Sequence, residues 1–298
     1  MPFDPILAAK QANFVNFAYN MFAAEPNSLR PPVDPGLGAA GYDLLSYLTA
    51  HDLQDVKFYG YLAAETASPG NLVVAIRGTE TAAEWLLDFD ALPLPYLGKG
   101  MVAGGFRAIA QSFQFMQPDG TVIGDLPTTL AARNAATPIT SVTVLGHSLG
   151  AALATLAAAQ IAFSSSPTGG LLELQTYASP RVGLLDFMTS FNHAVPTTFR
   201  IWNTLDIVPQ VPTFPYIHVG QSEELKQTQA QLQHLKVNPA CEHHLTTYQW
   251  LLDAADFQVN ADCVMAAPLA AHAIGGAAAV PETTLGAAAL ATAMHQVP

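Results

Sequence analysis

The sequence predicts an α/β protein in which a mostly parallel central sheet is flanked by helices. Three observations predict it. Apolar, β-branched segments alternate with helical patterns through the middle of the 298-residue chain, the order expected of parallel strands joined by crossover helices. The run Ser141-Val142-Thr143-Val144-Leu145 leads straight into Gly146-His147-Ser148-Leu149-Gly150 and then into the Ala/Leu run 151–159, which reads as strand, sharp turn and helix. Half of the residues are apolar and 11% are charged, enough to bury a large core and too apolar for a disordered chain.

Taken in order, residues 5–22 form an apolar helical pattern and 37–47 a second one, with a proline-rich loop at 31–36 between them. Residues 56–63 and 71–76 read as paired strands joined across Ser68-Pro69-Gly70. A helix is expected over 106–115, a turn at Gln117-Pro118-Asp119-Gly120 and a helix over 127–136. Beyond the Gly146–Gly150 turn follow a strand at 172–178, a helix at 185–191, a strand at 198–203 and a late helix opening at His243. From Ala266 onward the chain is Ala- and Gly-rich with few charges, so the domain is drawn at 1–265 and the rest, 266–298, as a packed or disordered tail.

Composition removes several function classes. The formal charge is −12, and no cluster of Lys and Arg offers a nucleic-acid footprint. The same negative field opposes attraction to anionic membranes, so any lipid contact has to be apolar. No apolar run is long enough to span a bilayer without interruption. Met1-Pro2-Phe3-Asp4-Pro5 lacks the basic and apolar regions of a signal peptide, which leaves a cytoplasmic protein or a secreted one whose signal is missing from this sequence. The sole cysteines, Cys241 and Cys263, fit neither a zinc ligand set nor a disulfide scaffold; a single disulfide between them is left open. Neither a metal nor a cofactor is expected.

The pentapeptide around Ser148 carries the chemistry. By composition, G-x-S-x-G turns up by chance in about a tenth of chains this long, so the strand and helix on either side are what make it informative. That setting raises a serine hydroxyl on a strained corner, the nucleophile elbow. A serine hydroxyl is a poor nucleophile at neutral pH and needs a histidine base oriented by a carboxylate. On such sheets the order is Ser, Asp or Glu, then His, with the acid just past a strand end. Asp206, at the end of Arg200-Ile201-Trp202-Asn203-Thr204-Leu205-Asp206, meets that condition; Asp186, inside a helical pattern, meets it less well. The histidine candidates are His218, His234, His243 and His244. His218 lies in an apparent strand and reads as structural, and His234 lies in a polar, Gln-rich stretch and reads as solvated.

Five segments resemble the class 3 lipases, the fungal-type triacylglycerol lipase family. They are Ala75-Ile76-Arg77-Gly78-Thr79 with Trp85 and Asp88 after it, the elbow over 142–154, Tyr177-Ala178-Ser179-Pro180-Arg181-Val182-Gly183, Asn203-Thr204-Leu205-Asp206-Ile207-Val208-Pro209, and His243-His244-Leu245-Thr246-Thr247-Tyr248. Val102-Ala103-Gly104-Gly105-Phe106 departs from the family's V-H-x-G-F, a change that touches loop geometry and not the triad. The resemblance implies an α/β-hydrolase fold and a triad of Ser148, Asp206 and His243, the last chosen over His244 by the form H-x-L-x-x-Y. It implies oxyanion donors at the backbone N–H groups of Thr79 and Leu149, with the Thr79 hydroxyl as a further one, and a lid-like segment over 85–97, a stretch that reads equally well as a buried strand over 86–91 followed by a proline loop. Arg77 reads as structural. Trp85, Phe214 and Tyr216 are the expected substrate-binding residues.

The expected function is therefore carboxylic-ester hydrolysis on acylglycerols, acting on an ester or lipid substrate at an oil–water interface. A short-chain, feruloyl-type or phospholipase A1 esterase is the alternative, and a catalytically silent binding protein the remote one. Oligomeric state is not legible.

Overall fold

The computed structural model describes residues 2–52, 55–79, 91–164 and 166–265. Trp85 and Asp88, with the rest of 85–90 of the expected lid, and the 266–298 tail lie outside them. Eleven strands are described: β1 (Tyr42–Asp52), β2 (Asp55–Glu65), β3 (Asn71–Ile76), β4 (Pro93–Pro95), β5 (Met101–Ala103), β6 (Gln114–Met116), β7 (Val122–Gly124), β8 (Ser141–His147), β9 (Leu172–Tyr177), β10 (Thr197–Asn203) and β11 (Gln221–Leu225). Nine of them make one sheet in the order β11-β10-β9-β8-β3-β2-β1-β6-β7, and β4 and β5 form a separate antiparallel pair. From β3 through β8, β9 and β10 to β11 every pairing is parallel. From β3 through β2, β1 and β6 to β7 every pairing is antiparallel. The parallel half carries the site.

Side chains alternate across a strand, and in β3 and β8 both faces are apolar because both are covered. Leu72, Val74, Ile76, Val142 and Val144 enter one core with the helix Leu149–Phe163. Val73, Ala75 and Leu145 enter the other, with the first described helix, Pro5–Ala24, and the last described one, Leu245–Leu252. The helix Leu149–Phe163 is apolar all round and is accordingly buried almost throughout. Pro5–Ala24 starts cleanly because Asp4 caps it, accepting from the N–H groups of Ile6 and Leu7. It is clasped to the last helix by Gln249, which donates to the Ala9 carbonyl (3.0 Å) and to Asn13 (2.8 Å) and accepts from Asn16 (2.6 Å). Among the described residues no helix is long and apolar enough to cross a membrane.

Three expectations are corrected. The helix expected over 37–47 is a short helix, Pro35–Ala39, followed by β1. Gly41 takes φ 81°, which ends the helix, and the tyrosine-rich stretch after it pairs along its length with β2, so tertiary pairing overrides local propensity. The helix expected over 106–115 is Gly104–Gln111, because Phe115 is drawn into register with Leu48 of β1. His218 lies just before a strand and not within one: Ile217 makes a single bridge to Gly183, and β11 begins at Gln221.

Candidate active site

The elbow forms as the sequence requires. β8 ends at His147, Ser148 takes φ 58° and ψ −128°, and a helix begins at Leu149. This left-handed backbone is costly for a residue with a side chain and persists only where the surroundings over-determine it. The two flanking glycines are obligatory on contact grounds. A Cβ on Gly146 would fall 2.2 Å from the Gly150 carbonyl oxygen, and one on Gly150 would fall 2.4 Å from that of Ile76. Ser148 is 1% exposed and its N–H donates to the Tyr177 carbonyl of β9 (3.0 Å).

Two further strand ends and a late turn complete the constellation. Asp206 follows β10 and is buried. Its Oδ1 accepts from the Val208 N–H (2.9 Å), while Oδ2 accepts from Nδ1 of His243 (2.7 Å) and from the Tyr248 hydroxyl (2.7 Å). The other ring nitrogen of His243, Nε2, lies 2.7 Å from the Ser148 hydroxyl oxygen. With Nδ1 protonated toward the carboxylate, Nε2 presents its lone pair to the serine, the tautomer a general base needs. Burial first, and the Asp206 charge second, push the Tyr248 hydroxyl well above the usual tyrosine range, so it remains a donor.

His243 ends a short helix, Pro239–His243, whose position is fixed from three sides. Cys241 is bonded to Cys263 in a disulfide. The Cys241 carbonyl accepts from the Thr247 hydroxyl (2.7 Å). The buried Glu242 accepts from Asn203 (2.7 Å) and from Gln227, and Asn203 also donates to the Glu242 carbonyl (3.0 Å). Asn203 is the last residue of β10, so this carboxylamide cluster ties the acid's strand to the histidine's turn.

On the other side of Ser148 stands the strand-end turn Arg77-Gly78-Thr79. A Cβ on Gly78 would lie 2.9 Å from that of Ser148, so only glycine lets this backbone come so close. The Thr79 hydroxyl is buried and has no hydrogen-bond partner among the described residues. The Leu149 N–H belongs to the first helical turn, where no intrahelical acceptor exists. Arg77 is buried, donating to the Phe58 and Gly78 carbonyls with its guanidinium 3.5 Å from the centre of the Phe22 ring.

The remaining candidates are placed elsewhere. His244 caps the helix Leu245–Leu252, accepting from the Thr246 N–H (3.2 Å). His218 bonds the Pro209 carbonyl (2.8 Å), and burial, with Arg200 next in weight, pushes its pKa down to about 3. His234 is exposed and stacks on Trp250. Asp186 accepts from the Phe187 N–H at the start of the helix Leu185–Ala194. Phe214 is 87% exposed, whereas Tyr216 is buried and donates to the Ala91 carbonyl. Sequence reasoning missed Tyr19, which reaches the site from the first helix, and the acceptor role of Asp206 toward Tyr248. The tyrosine of H-x-L-x-x-Y was the one signal for the latter, and nothing in the sequence signalled the former.

The family model for Lipase (class 3) matches residues 73–216, the stretch from β3 through the elbow and the acid to Tyr216. Over that stretch the chain is similar to the class 3 lipase family. Among its relatives are a secreted mono- and diacylglycerol lipase A of Penicillium cyclopium, 34% identical over 54% of this chain and 50% of that protein, and the phospholipase A1-II 3 of Oryza sativa subsp. indica, 30% identical over 75% and 57%. Among solved structures, lipase II from Rhizopus niveus superimposes with a TM-score of 0.60 at 22% identity, covering 76% of this chain and 82% of that one. The fold is therefore that of the α/β-hydrolases. The chain spans about half the length of the curated relatives it matches, or less.

Proposed function

We propose that this protein is a member of the class 3 lipase family, a serine carboxylic-ester hydrolase that acts on acylglycerols through an acyl-enzyme intermediate. The observation that carries the reading is the unbroken run of contacts from Asp206 through His243 to Ser148, 2.7 Å at each step, ending on a serine held at positive φ. Ser148 attacks the ester carbonyl while His243 Nε2 takes its proton. Asp206 holds the ring and stabilises the imidazolium that forms. The negative oxygen of the tetrahedral intermediate is received by the N–H groups of Leu149 and Thr79 and by the buried Thr79 hydroxyl. Collapse returns the proton from His243 to the leaving alcohol and leaves an acyl ester on Ser148. Water, deprotonated by His243, then releases the fatty acid.

The apolar surface after Asp206, exposed at Ile207 and Phe214, suits acyl chains. The charge of −12 favours an uncharged oil surface over an anionic one. A phospholipase A1 reading is kept beside the acylglycerol one because the rice relatives of that name align over more of the chain, 75%, than the fungal lipase does.

Hydrolysis of p-nitrophenyl esters from C2 to C16, with Ser148→Ala as the blank, tests the chemistry, and dioleoylglycerol against dioleoylphosphatidylcholine tests the class. Turnover that peaks on long chains, vanishes in the variant and favours the acylglycerol is the expected result. Activity confined to C2–C4 would make it a short-chain esterase, and no Ser148-dependent turnover would leave a silent binding protein.

A further inference from the structure

We infer that Tyr19 and His147 form a one-way hydrogen-bond chain behind the nucleophile that sets the spacing between the oxyanion-side backbone and the base, making both of them positioning residues. The inference rests on the hydrolase reading above and adds to it two residues that the triad does not include.

The chain has three links. The Gly78 N–H donates to the Tyr19 hydroxyl oxygen (2.8 Å). That hydroxyl lies 2.9 Å from Nδ1 of His147. Nε2 of His147 lies 2.8 Å from the backbone carbonyl of His243. Their direction follows from elementary chemistry. A carbonyl only accepts, so Nε2 must carry the proton. Full burial, with the nearby His243 next in weight, holds His147 well below the ordinary histidine range and therefore neutral, so Nδ1 is bare. Tyr19 must then donate to Nδ1 while its oxygen receives the Gly78 N–H. One tautomer satisfies every link, and none competes with another.

The two ends of the chain give it its meaning. Gly78 immediately precedes Thr79, whose N–H and hydroxyl face the developing oxyanion in the proposed reaction. The accepting carbonyl belongs to His243, the base itself. His147 adjoins Ser148 in sequence, so the chain passes round the back of the nucleophile and joins the two groups that must close on the substrate together. Its neutrality also matters. The rings of His147 and His243 are 4.8 Å apart, and a cation at His147 would oppose the charge that His243 acquires in the tetrahedral intermediate. An apolar ring at 147 would fill the space and leave the Tyr19 hydroxyl and the His243 carbonyl without these partners.

The test uses the full chain with Tyr19→Phe, His147→Phe, the double variant and His147→Gln, whose amide keeps a donor for the His243 carbonyl. Each is followed by ester kinetics, by phosphonate labelling of Ser148 and by long-range 1H–15N spectra of the histidine rings. The expected result is a kcat lower by roughly ten- to a hundredfold with KM within about twofold for either single phenylalanine variant, since misplacement acts on the reacting geometry and not on binding. The double variant should be no slower than His147→Phe, His147→Gln should recover part of the loss, and His147 should keep the Nε2–H form from pH 5 to 8. An unchanged kcat in Tyr19→Phe, losses that multiply in the double variant, or an Nδ1–H tautomer would overturn the chain while leaving the hydrolase reading intact. A wild-type protein that phosphonate does not label would overturn both.

Discussion

Asp206 divides its two oxygens between two tasks. Oδ1 takes the Val208 N–H and so fixes the carboxylate to its own loop, while Oδ2 faces both His243 and Tyr248. Asp206→Asn keeps the shape but places a donor or a weaker acceptor against Nδ1, and is expected to lower kcat roughly 10³- to 10⁴-fold on a p-nitrophenyl ester. Tyr248→Phe is expected to behave differently. It leaves Oδ2 bonded to His243 but strips the buried Asn203 N–H of its acceptor, a 3.1 Å contact. Urea unfolding should register a loss of about 1–3 kcal/mol, with kcat reduced less than in Asp206→Asn. Ser148 and Asp206 were legible because each sits where a strand's apolar pattern stops. His243 was separated from His244 by the spacing to Tyr248, and the structure explains that spacing. Residue 244 is needed as the cap of the following helix, so its ring turns away while residue 243 still faces the serine. Tyr19 was illegible because 128 residues separate it from His147, and a tyrosine in an apolar helix reads as core.

At the scale of elements, what the sequence disclosed followed burial. Strands covered on both faces, β3 and β8, declared themselves as apolar runs, and the bounds expected for β3 are those observed. The antiparallel half was harder to read. β1 carries Tyr42, Ser46, Tyr47 and Thr49, a mixture that matches neither a clean alternation nor a helical stripe, and its pairing with β2 contains two register shifts. The histidine turn is the element most dependent on a cross-link. The disulfide from Cys241 to Cys263 closes a loop with a sequence separation of 22 around a small core that includes Leu235 and Val259. Replacing both cysteines by serine is expected to lower stability by about 3 kcal/mol, since the unfolded chain regains the entropy of the open loop. Calorimetry of the oxidised, reduced and double-serine proteins would measure it, and equal melting temperatures for all three would count against a structural role for the bond.

For the whole molecule, His218 and His147, both held below the usual histidine range, tilt the stability curve against acid. The pKa of His218 is about 3 in the folded chain, against about 6.5 for an unfolded histidine. Between those values the unfolded chain holds the extra proton, so stability rises with pH across the window and is lost as pH falls from about 6.5 toward 3, by at most about 1.4 kcal/mol per pH unit for each such group. His147 acts in the same direction, its pKa also lowered by burial. Urea midpoints at pH 7 and pH 5 should therefore fall further in the wild type than in His218→Gln, and parallel falls would assign the acid sensitivity to other groups. The clasp between the first helix and the last has a consequence for biosynthesis. Pro5–Ala24 leaves the ribosome before Gln249, which holds its Ala9, Asn13 and Asn16 from 240, 236 and 233 residues further on, a delay of roughly 12–48 s at ordinary translation speeds. Tyr19 meets its histidine 128 residues on, and Val73, Ala75 and Leu145 are made in time to cover the helix, but the clasp itself stays open until Gln249 arrives. The clasp is thus among the later contacts to close, and a chaperone that shields Pro5–Ala24 in the meantime would be guarding a piece of the candidate site.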